Sequence, residues 1–289
     1  MNERLYSPSH LKAVLEKFGF SFKKFYGQNF LIDGNIVKAI VNGAKIGKDD
    51  CVLEIGPGVG TMTEEILPLC KKLVAVEIDK KLIEILDYNL KNFDNYKIVN
   101  ADILKVDLKE LLLNEFNGEK VKVIANLPYY ISTPIITKLL EEELPISSIT
   151  VMVQKEVADR MAAKENSKEY GSLSVFVSVY SDLKTVIKVP KTVFMPKPKV
   201  DSTVVSMKKK EPLDTDLKLF FTLVKAGFGK RRKNILNSLS SPLTPLDKEV
   251  MKEILEKLNI DVNLRAENLS IEDFLKITDE INSVIKKNL

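Results

Sequence analysis

Hydrophobic positions fall into two regimes along the chain. Short apolar runs at residues 51–55, 73–76, 97–99, 121–125 and 148–153 have the length and composition of buried strands. Between and after them, stretches at 62–69, 80–92, 108–116 and 134–144 repeat their apolar positions at helical spacing. Strands alternating with amphipathic helices predict βαβ units and a parallel sheet with right-handed crossovers. Upstream, a helix over 8–19 would gather Leu11, Val14, Leu15 and Phe18 on one face. A second over 35–43 would gather Ile36, Val37, Ile40 and Val41, with Gly43 as its stop. Downstream, a helical 155–160 leads into a polar stretch at 160–172 that reads as a mobile loop. Strand-like runs at 173–180, 185–189 and 204–207 then close the sheet with antiparallel members.

Beyond K-K-K-E-P-L-D at 208–214 only helical spacing remains. An amphipathic helix is expected over 217–228. Thr244, Pro245 and Asp247 read as N-cap, N1 proline and acidic N3 ahead of Val250, Ile254 and Leu258. Ser270 and Asp273 repeat the capping-box pattern before a final helix. The expectation is an α/β domain over residues 1–210 and a small all-helical domain over 211–289.

Composition adds limits. The chain has 289 residues, 45% hydrophobic and 29% charged, enough for a sizeable core. No apolar run reaches the roughly 20 residues of a membrane helix, and M-N-E-R-L-Y-S-P-S-H lacks the apolar region of a signal peptide, so a cytoplasmic home is expected. Cys51 and Cys70, in apolar surroundings, fit neither a metal spacing nor a disulfide framework and read as buried thiols. With His10 the only histidine, triads and His-ligated metal sites are largely excluded. Chemistry here must work by positioning or with a cofactor. The net charge of +4 conceals a division, because residues 184–233 hold 14 Lys and Arg against 4 Asp and Glu. Such a segment suits an anionic partner, most simply nucleic acid, although a solvated charged face has the same composition. Aromatics alternating with lysines over 22–32, F-K-K-F-Y-G-Q-N-F-L-I, suit RNA contact or a hydrophobic strap across the core.

The candidate chemistry gathers at strand ends. The first main strand runs into Glu54-Ile-Gly56-Pro-Gly58-Val-Gly60, where glycines let the backbone approach a ligand. Thr61 stands where a dinucleotide fingerprint needs glycine, so the spacing argues against a pyrophosphate loop. Glu77 ends the next strand, 21 residues after Gly56, where a carboxylate can hold a ribose diol. Asp102 ends the third and could accept from an adenine amino group, though acids at such places also cap helices. These three describe a pocket for an adenosine without polyphosphate, the shape of S-adenosylmethionine. The fourth strand, V-K-V-I-A-N-L-P-Y-Y at 121–130, is cut off by Asn126 and Pro128. That thrusts an amide, a proline-fixed carbonyl and two tyrosines out at its carboxyl end.

E-I-G-P-G-V-G, V-E-I-D, N-A-D and N-L-P-Y, in that order, resemble the motif series of class I methyltransferases acting on exocyclic amines. Three further segments narrow the resemblance: G-Q-N-F-L at 27–31, V-F-M-P-K-P-K-V-D-S at 193–202 and F-G-K-R-R-K at 228–233. The set resembles the ribosomal small-subunit RNA adenine dimethyltransferases, the KsgA family, over essentially the whole chain. The resemblance implies a Rossmann-like domain using S-adenosyl-L-methionine to dimethylate N6 of adjacent adenosines in a loop of small-subunit RNA during ribosome biogenesis. It implies that Asn29, Leu31, Gly56, Gly58, Glu77, Asp102 and Asn126 hold the cofactor. Asn126, the Leu127 carbonyl and Pro128 would orient the target amine, and Tyr129 and Phe194 would sandwich the adenine, although core packing explains Phe194 equally. Lys230, Arg231, Arg232 and Lys233 would grip RNA phosphates. The expected partner is the small-subunit RNA of a pre-30S particle, engaged by a monomer without metal or membrane. The alternatives are a large-subunit enzyme of the macrolide-resistance type, a DNA adenine methyltransferase, and a non-catalytic ribosome-assembly factor. The DNA enzymes typically carry a proline where Leu127 stands.

Overall fold

The structure is a computed structural model and describes residues 4–22, 27–230, 232–241 and 244–287. Residues 23–26 of the aromatic and basic stretch, and Arg231, lie outside the described residues. The chain folds into two compact units, one of residues 1–158 with 182–209, the other of 159–181 with 210–289. It thus divides at 209/210, and a segment of the expected first domain also packs with the helices.

In the first unit the strands are β1 (Phe30–Leu31), β2 (Cys51–Ile55), β3 (Lys72–Glu77), β4 (Tyr96–Asn100), β5 (Val121–Asn126), β6 (Ile146–Gln154), β7 (Ser181–Val189), β8 (Phe194–Met195) and β9 (Ser202–Lys209). Its helices are α1 (Pro8–Lys17), α2 (Gly34–Gly43), α3 (Thr63–Ile66), α4 (Lys80–Leu90), α5 (Leu108–Phe116), α6 (Ser132–Glu141) and the start of α7 (Lys155–Ala162). The main sheet has seven strands in the order β4-β3-β2-β5-β6-β9-β7. Its first five are parallel neighbours, and β9 is antiparallel to β6. This is a Rossmann-like sheet. Successive strands step outward from β2 to β4 on one side and from β5 to β6 on the other, so the order reverses between β2 and β5. A crevice opens at the carboxyl ends at that point.

The fully buried strands of the centre explain the continuous apolar runs, since parallel strands are covered on both faces. A core of Val37, Ile40, Val52, Ile66, Ala75, Ile124 and Met152 packs α2 and α3 against the sheet. Another joins Leu11, Val14 and Leu15 of α1 to Leu82 and Ile85 of α4. Several local expectations shift. Asp33 rather than a residue of the run caps α2, accepting from Asn35 and Ile36 N–H. Gly43 is not a left-handed stop but a close approach, because a Cβ there would sit 2.4 Å from Val186 Cγ1. The helix expected over 62–69 is one short turn, continued by a 3₁₀ turn at Leu67–Leu69 around Pro68.

The second unit holds α8 (Ser172–Tyr180), α9 (Leu217–Gly229), α10 (Ile235–Leu239), α11 (Lys248–Lys257) and α12 (Ile271–Lys287). The run at 173–180, expected as a strand, is α8. Its β-branched, alternating composition favours a strand locally. Instead Ser174 accepts from the Gly171 N–H at the helix start and donates to the Arg160 carbonyl, while Val175 and Val179 pack among Phe220, Val224 and Ile277. Tertiary packing overrides propensity here. The stretch at 160–172 is likewise built, with α7 extending to Ala162 and Tyr170 buried in the same core. Asp247, not Thr244, caps α11 by accepting from Val250 N–H, and Thr244 instead donates to the Ser241 carbonyl. The Ser270–Asp273 capping box forms as read, with Ser270 N–H to Asp273 Oδ2 at 2.8 Å and Asp273 N–H to Ser270 Oγ at 3.1 Å. Among the described residues no helix is long and apolar enough to cross a membrane.

Candidate active site

Register places the site residues before any side chain is considered. Ile55 of β2 pairs with Val76 of β3 and Ala125 of β5, so Gly56, Glu77 and Asn126 follow side by side on three adjacent strands. Beyond Glu77 lies Asn100 of β4, whose amide donates to the Glu77 carbonyl at 2.9 Å and leads the chain to Asp102. The turn after β2 takes Gly56, Gly58 and Gly60 through φ of 66°, 64° and 92°, a path that L side chains resist. At Gly58 a Cβ would also meet Phe30 Cε1 at 2.9 Å.

Glu77 is the most tightly built of these groups. It is 5% exposed. One carboxylate oxygen accepts from Asp79 N–H at 2.9 Å and the other from Gly58 N–H at 3.3 Å, which ties the glycine turn to β3. Burial pushes its carboxyl up to about 7, against the pull of those backbone donors. Asp102 is half-buried, and its Oδ1 accepts from Leu104 N–H at 3.0 Å, the turn-capping role open to any acid there. Glu54 is fully buried on β2, and neither oxygen reaches a hydrogen-bonding partner among the described residues. Burial drives it up to about 8, while Thr63 beside it favours the charged form.

Residues 27–31 cross the carboxyl edge as a strap. Gln28 Nε2 donates to Asp79 Oδ2 at 3.0 Å, and Phe30 and Leu31 pair with Met195 and Phe194 in a separate two-stranded ribbon. Asn29 and Asn126 meet directly, since Asn126 Nδ2 donates to the Asn29 carbonyl at 3.0 Å. Among the described residues nothing donates to Asn126 Oδ1, the acceptor of that amide. Leu127 N–H extends the ladder to the Met152 carbonyl, and no described group donates to the Leu127 carbonyl. The chain then turns through Pro128, with φ −58° and ψ 130°, into a 3₁₀ turn at Tyr129–Ile131. Tyr129 hydroxyl and Ser202 Oγ lie 2.8 Å apart, and burial raises the Tyr129 phenol above its usual value.

These elements enclose a cavity of about 260 Å³. Gly56, Gly58, Glu77, Asp102, Asn29, Leu31, Asn126, Leu127, Pro128 and Tyr129 all lie on its wall. Phe194 does not. It is 3% exposed and packs in the sheet core with Leu31 and Val37. Thr61, Ile78, Ile103, Leu104 and Tyr130 also line the cavity and were not foreseen as site residues. Ile103 and Leu104 follow Asp102 in sequence, and the N-A-D-I-L run was the available signal. Lys230, Arg232 and Lys233 are exposed in the turn after α9, where Lys233 N–H donates to the Lys230 carbonyl. Among the described residues no group of three or more His, Cys, Asp or Glu could hold a metal ion.

Among the described residues the wall carries two acids and no Lys, Arg or His. An acceptor-rich cavity of this kind opposes polyphosphate and suits a cationic ligand with hydroxyl donors. Fold and cavity together define a nucleoside-cofactor-binding protein of the doubly wound type. The family model described as ribosomal RNA adenine dimethylase matches residues 19–283, and the chain belongs to that family. It is 50% identical over 283 residues to ribosomal RNA small subunit methyltransferase A of Alkaliphilus metalliredigens, covering 96% of this chain and 98% of that one. It is 48% identical to the protein of the same name from Clostridioides difficile, covering 98% and 99%. Among solved structures it resembles a dimethyladenosine transferase from Plasmodium falciparum, with TM-score 0.75, 30% identity, and 88% and 98% of the two chains covered. The 23S rRNA methyltransferase ErmE gives TM-score 0.67 and 25% identity, with 88% and 99% covered.

Proposed function

We propose that this protein uses S-adenosyl-L-methionine to dimethylate N6 of adjacent adenosines in a loop of small-subunit ribosomal RNA, acting on a pre-30S particle in the cytoplasm. The observation that carries the reading is the cavity wall: acids at Glu77 and Asp102 and, among the described residues, no cation and no donor to the amide oxygen of Asn126. Glu77 accepts from the ribose hydroxyls, Asp102 Oδ2 from the adenine amino group, and Ile78, Ile103 and Leu104 supply apolar surface. Gly56 fits the arrangement, because a Cβ there would meet nothing within 4 Å and the turn presents bare backbone. The bound cofactor supplies an electrophilic methyl group on a sulfonium.

The chain's own part is to place the amine. The lone pair of adenine N6 is delocalised into the ring, so the nitrogen must be pyramidalised before it attacks. In the first transfer the two N–H groups of that amine donate to Asn126 Oδ1 and the Leu127 carbonyl and direct the lone pair, in the second the one remaining N–H donates to either acceptor, and Pro128 holds the carbonyl still. No general base is required before attack, because the alkylated nitrogen becomes strongly acidic, and alignment carries most of the rate. Tyr129, clamped by Ser202, offers one face for the extruded base. Phe194, buried in the core beneath the strap and off the cavity wall, offers no second face where it stands. Exposed Lys230, Arg232 and Lys233, with Arg231, contact phosphates, and the protein acts as a monomer without metal.

Identity of 48–50% to proteins named for the small subunit, against 25% to a large-subunit enzyme, favours the small-subunit target. The test is methyl transfer from labelled cofactor to undermethylated small subunits, large subunits and DNA, followed by nucleoside analysis. Label in dimethyladenosine of the small subunit is expected. Label confined to another acceptor, or none, would overturn the assignment.

A further inference from the structure

The turn that follows β5 is braced from two strands away. Tyr129 hydroxyl and Ser202 Oγ lie 2.8 Å apart, and Ser202 is the first residue of β9, 1% exposed. In the sheet β6 runs between β5 and β9, with Asn126 opposite Met152 and Gln154 opposite Ser202. Neighbouring strands are about 4.8 Å apart, so the Tyr129 side chain spans the end of β6 to reach its partner.

Ser202 is itself held in place. Its neighbour Asp201 accepts from Lys155 N–H through the backbone carbonyl at 3.0 Å and from Lys191 N–H through Oδ1 at 2.9 Å. A buried hydroxyl costs free energy unless it is hydrogen-bonded, and Tyr129 supplies that bond to Ser202. A tyrosine ring turns about two side-chain torsions, and a bond at its far end restrains both. The Tyr129 ring, on the cavity wall two residues after the Leu127 carbonyl, is therefore fixed at its hydroxyl as well as at its backbone.

In each transfer the N6 lone pair bonds to the methyl carbon as the sulfur–carbon bond breaks, that bond's electron pair stays on sulfur, and one N6 proton passes to water. The first transfer starts from an amine with two N–H groups, one for Asn126 Oδ1 and one for the Leu127 carbonyl. The second starts from a methylated amine with a single N–H, so one of the two bonds that set the base in its plane is gone. The remaining bond lets the base swing about it, and stacking on Tyr129 opposes the swing. We propose that Ser202 is a positioning residue for the second methyl transfer, holding the Tyr129 ring where the singly methylated base needs it. The proposal rests on the adenine dimethyltransferase reading above and deepens it, by assigning to the brace from β9 the choice between one methyl group and two.

The test compares Ser202→Ala, Tyr129→Phe and the double variant with the wild type on undermethylated small subunits, following monomethyladenosine and dimethyladenosine over time by nucleoside analysis. Tyr129→Phe keeps the ring and removes the hydroxyl, so it severs the same bond from the other side. Each single variant is expected to slow the second transfer on the order of tenfold and the first by about twofold, so that monomethyladenosine accumulates. The double variant is expected to match the single ones, because all three lack one shared contact. Alongside, NMR of the protein carrying isotope-labelled tyrosine, with neither RNA nor cofactor present, follows the Tyr129 ring resonance, assigned by its loss in Tyr129→Phe. That resonance is expected to shift in Ser202→Ala. Equal slowing of both transfers in the single variants, or none, overturns the proposal, and so does a further loss in the double variant or an unshifted ring. Absence of dimethyladenosine with the wild-type protein overturns the reading on which it rests.

Discussion

The two halves of the cavity are built by different means. On the β3 side, Glu77 is buried, both its oxygens are engaged by backbone N–H groups, and the glycine turn is tied to it. On the β5 side the strand ends in acceptors to which no described group donates, Asn126 Oδ1 and the Leu127 carbonyl. The first half is complete within the chain and the second waits for donors from outside. A protein that binds one small cofactor repeatedly gains from a preformed site, whereas one that receives a base from a large RNA needs acceptors left unpaired until it arrives.

Substitutions separate the halves, and the largest effect is expected on the open side. Asn126→Ala should lower kcat for methyl transfer by about 10²–10³-fold, because it removes an acceptor that orients the attacking nitrogen. Cofactor affinity should stay measurable, since Glu77 and Asp102 are untouched. Single-turnover assays beside calorimetry check the split, and wild-type-like turnover would sink the assigned role. Next in size, Arg232→Glu with Lys233→Glu should weaken RNA binding by about tenfold and reduce its salt slope by roughly one unit per lost phosphate contact. Unchanged affinity across salt concentrations would remove the turn after α9 from the interface.

The preformed side shows itself through pH. Ribose hydroxyls donate to the Glu77 carboxylate, and burial places that carboxyl at about 7. Cofactor affinity should therefore be full above that pH and fall about tenfold between pH 8 and pH 6. Glu77→Gln should bind more weakly and lose this dependence. The smallest effect concerns stability. Glu54, raised to about 8 by burial, is neutral in the folded protein below that pH and charged above it, whereas in the unfolded chain it is already charged above about 4.5. Its cost to folding is thus felt at high pH and disappears as pH falls toward 4.5. Glu54→Gln should raise the thermal midpoint at pH 9 and leave it nearly unchanged at pH 5. An equal shift at both would show that packing, not charge, sets the effect.

How far the sequence reveals this molecule depends on how local each cause is. The strands of the central sheet were legible because parallel strands buried on both faces need continuous apolar runs. Glu77, Asp102 and Asn126 were legible because each ends such a run. Helix α8 was not, since its serine-valine alternation favours a strand and only packing against α9 and α12 decides otherwise. The β1–β8 ribbon escaped for a related reason, being two residues long and paired across more than 160 positions. Phe194 reads as a candidate stacking ring from its motif, and only the fold places it in the core beneath the strap. Tyr130 carried no distinguishing signal beside Tyr129, since exposure belongs to the turn and not to the residue type.

The contrast between a finished half and a waiting half is most directly tested by calorimetric titration of S-adenosylmethionine into the protein with no RNA present. The account predicts saturable binding at one molecule per chain, and none of that heat with Glu77→Ala. Binding that develops only after small subunits are added would contradict it.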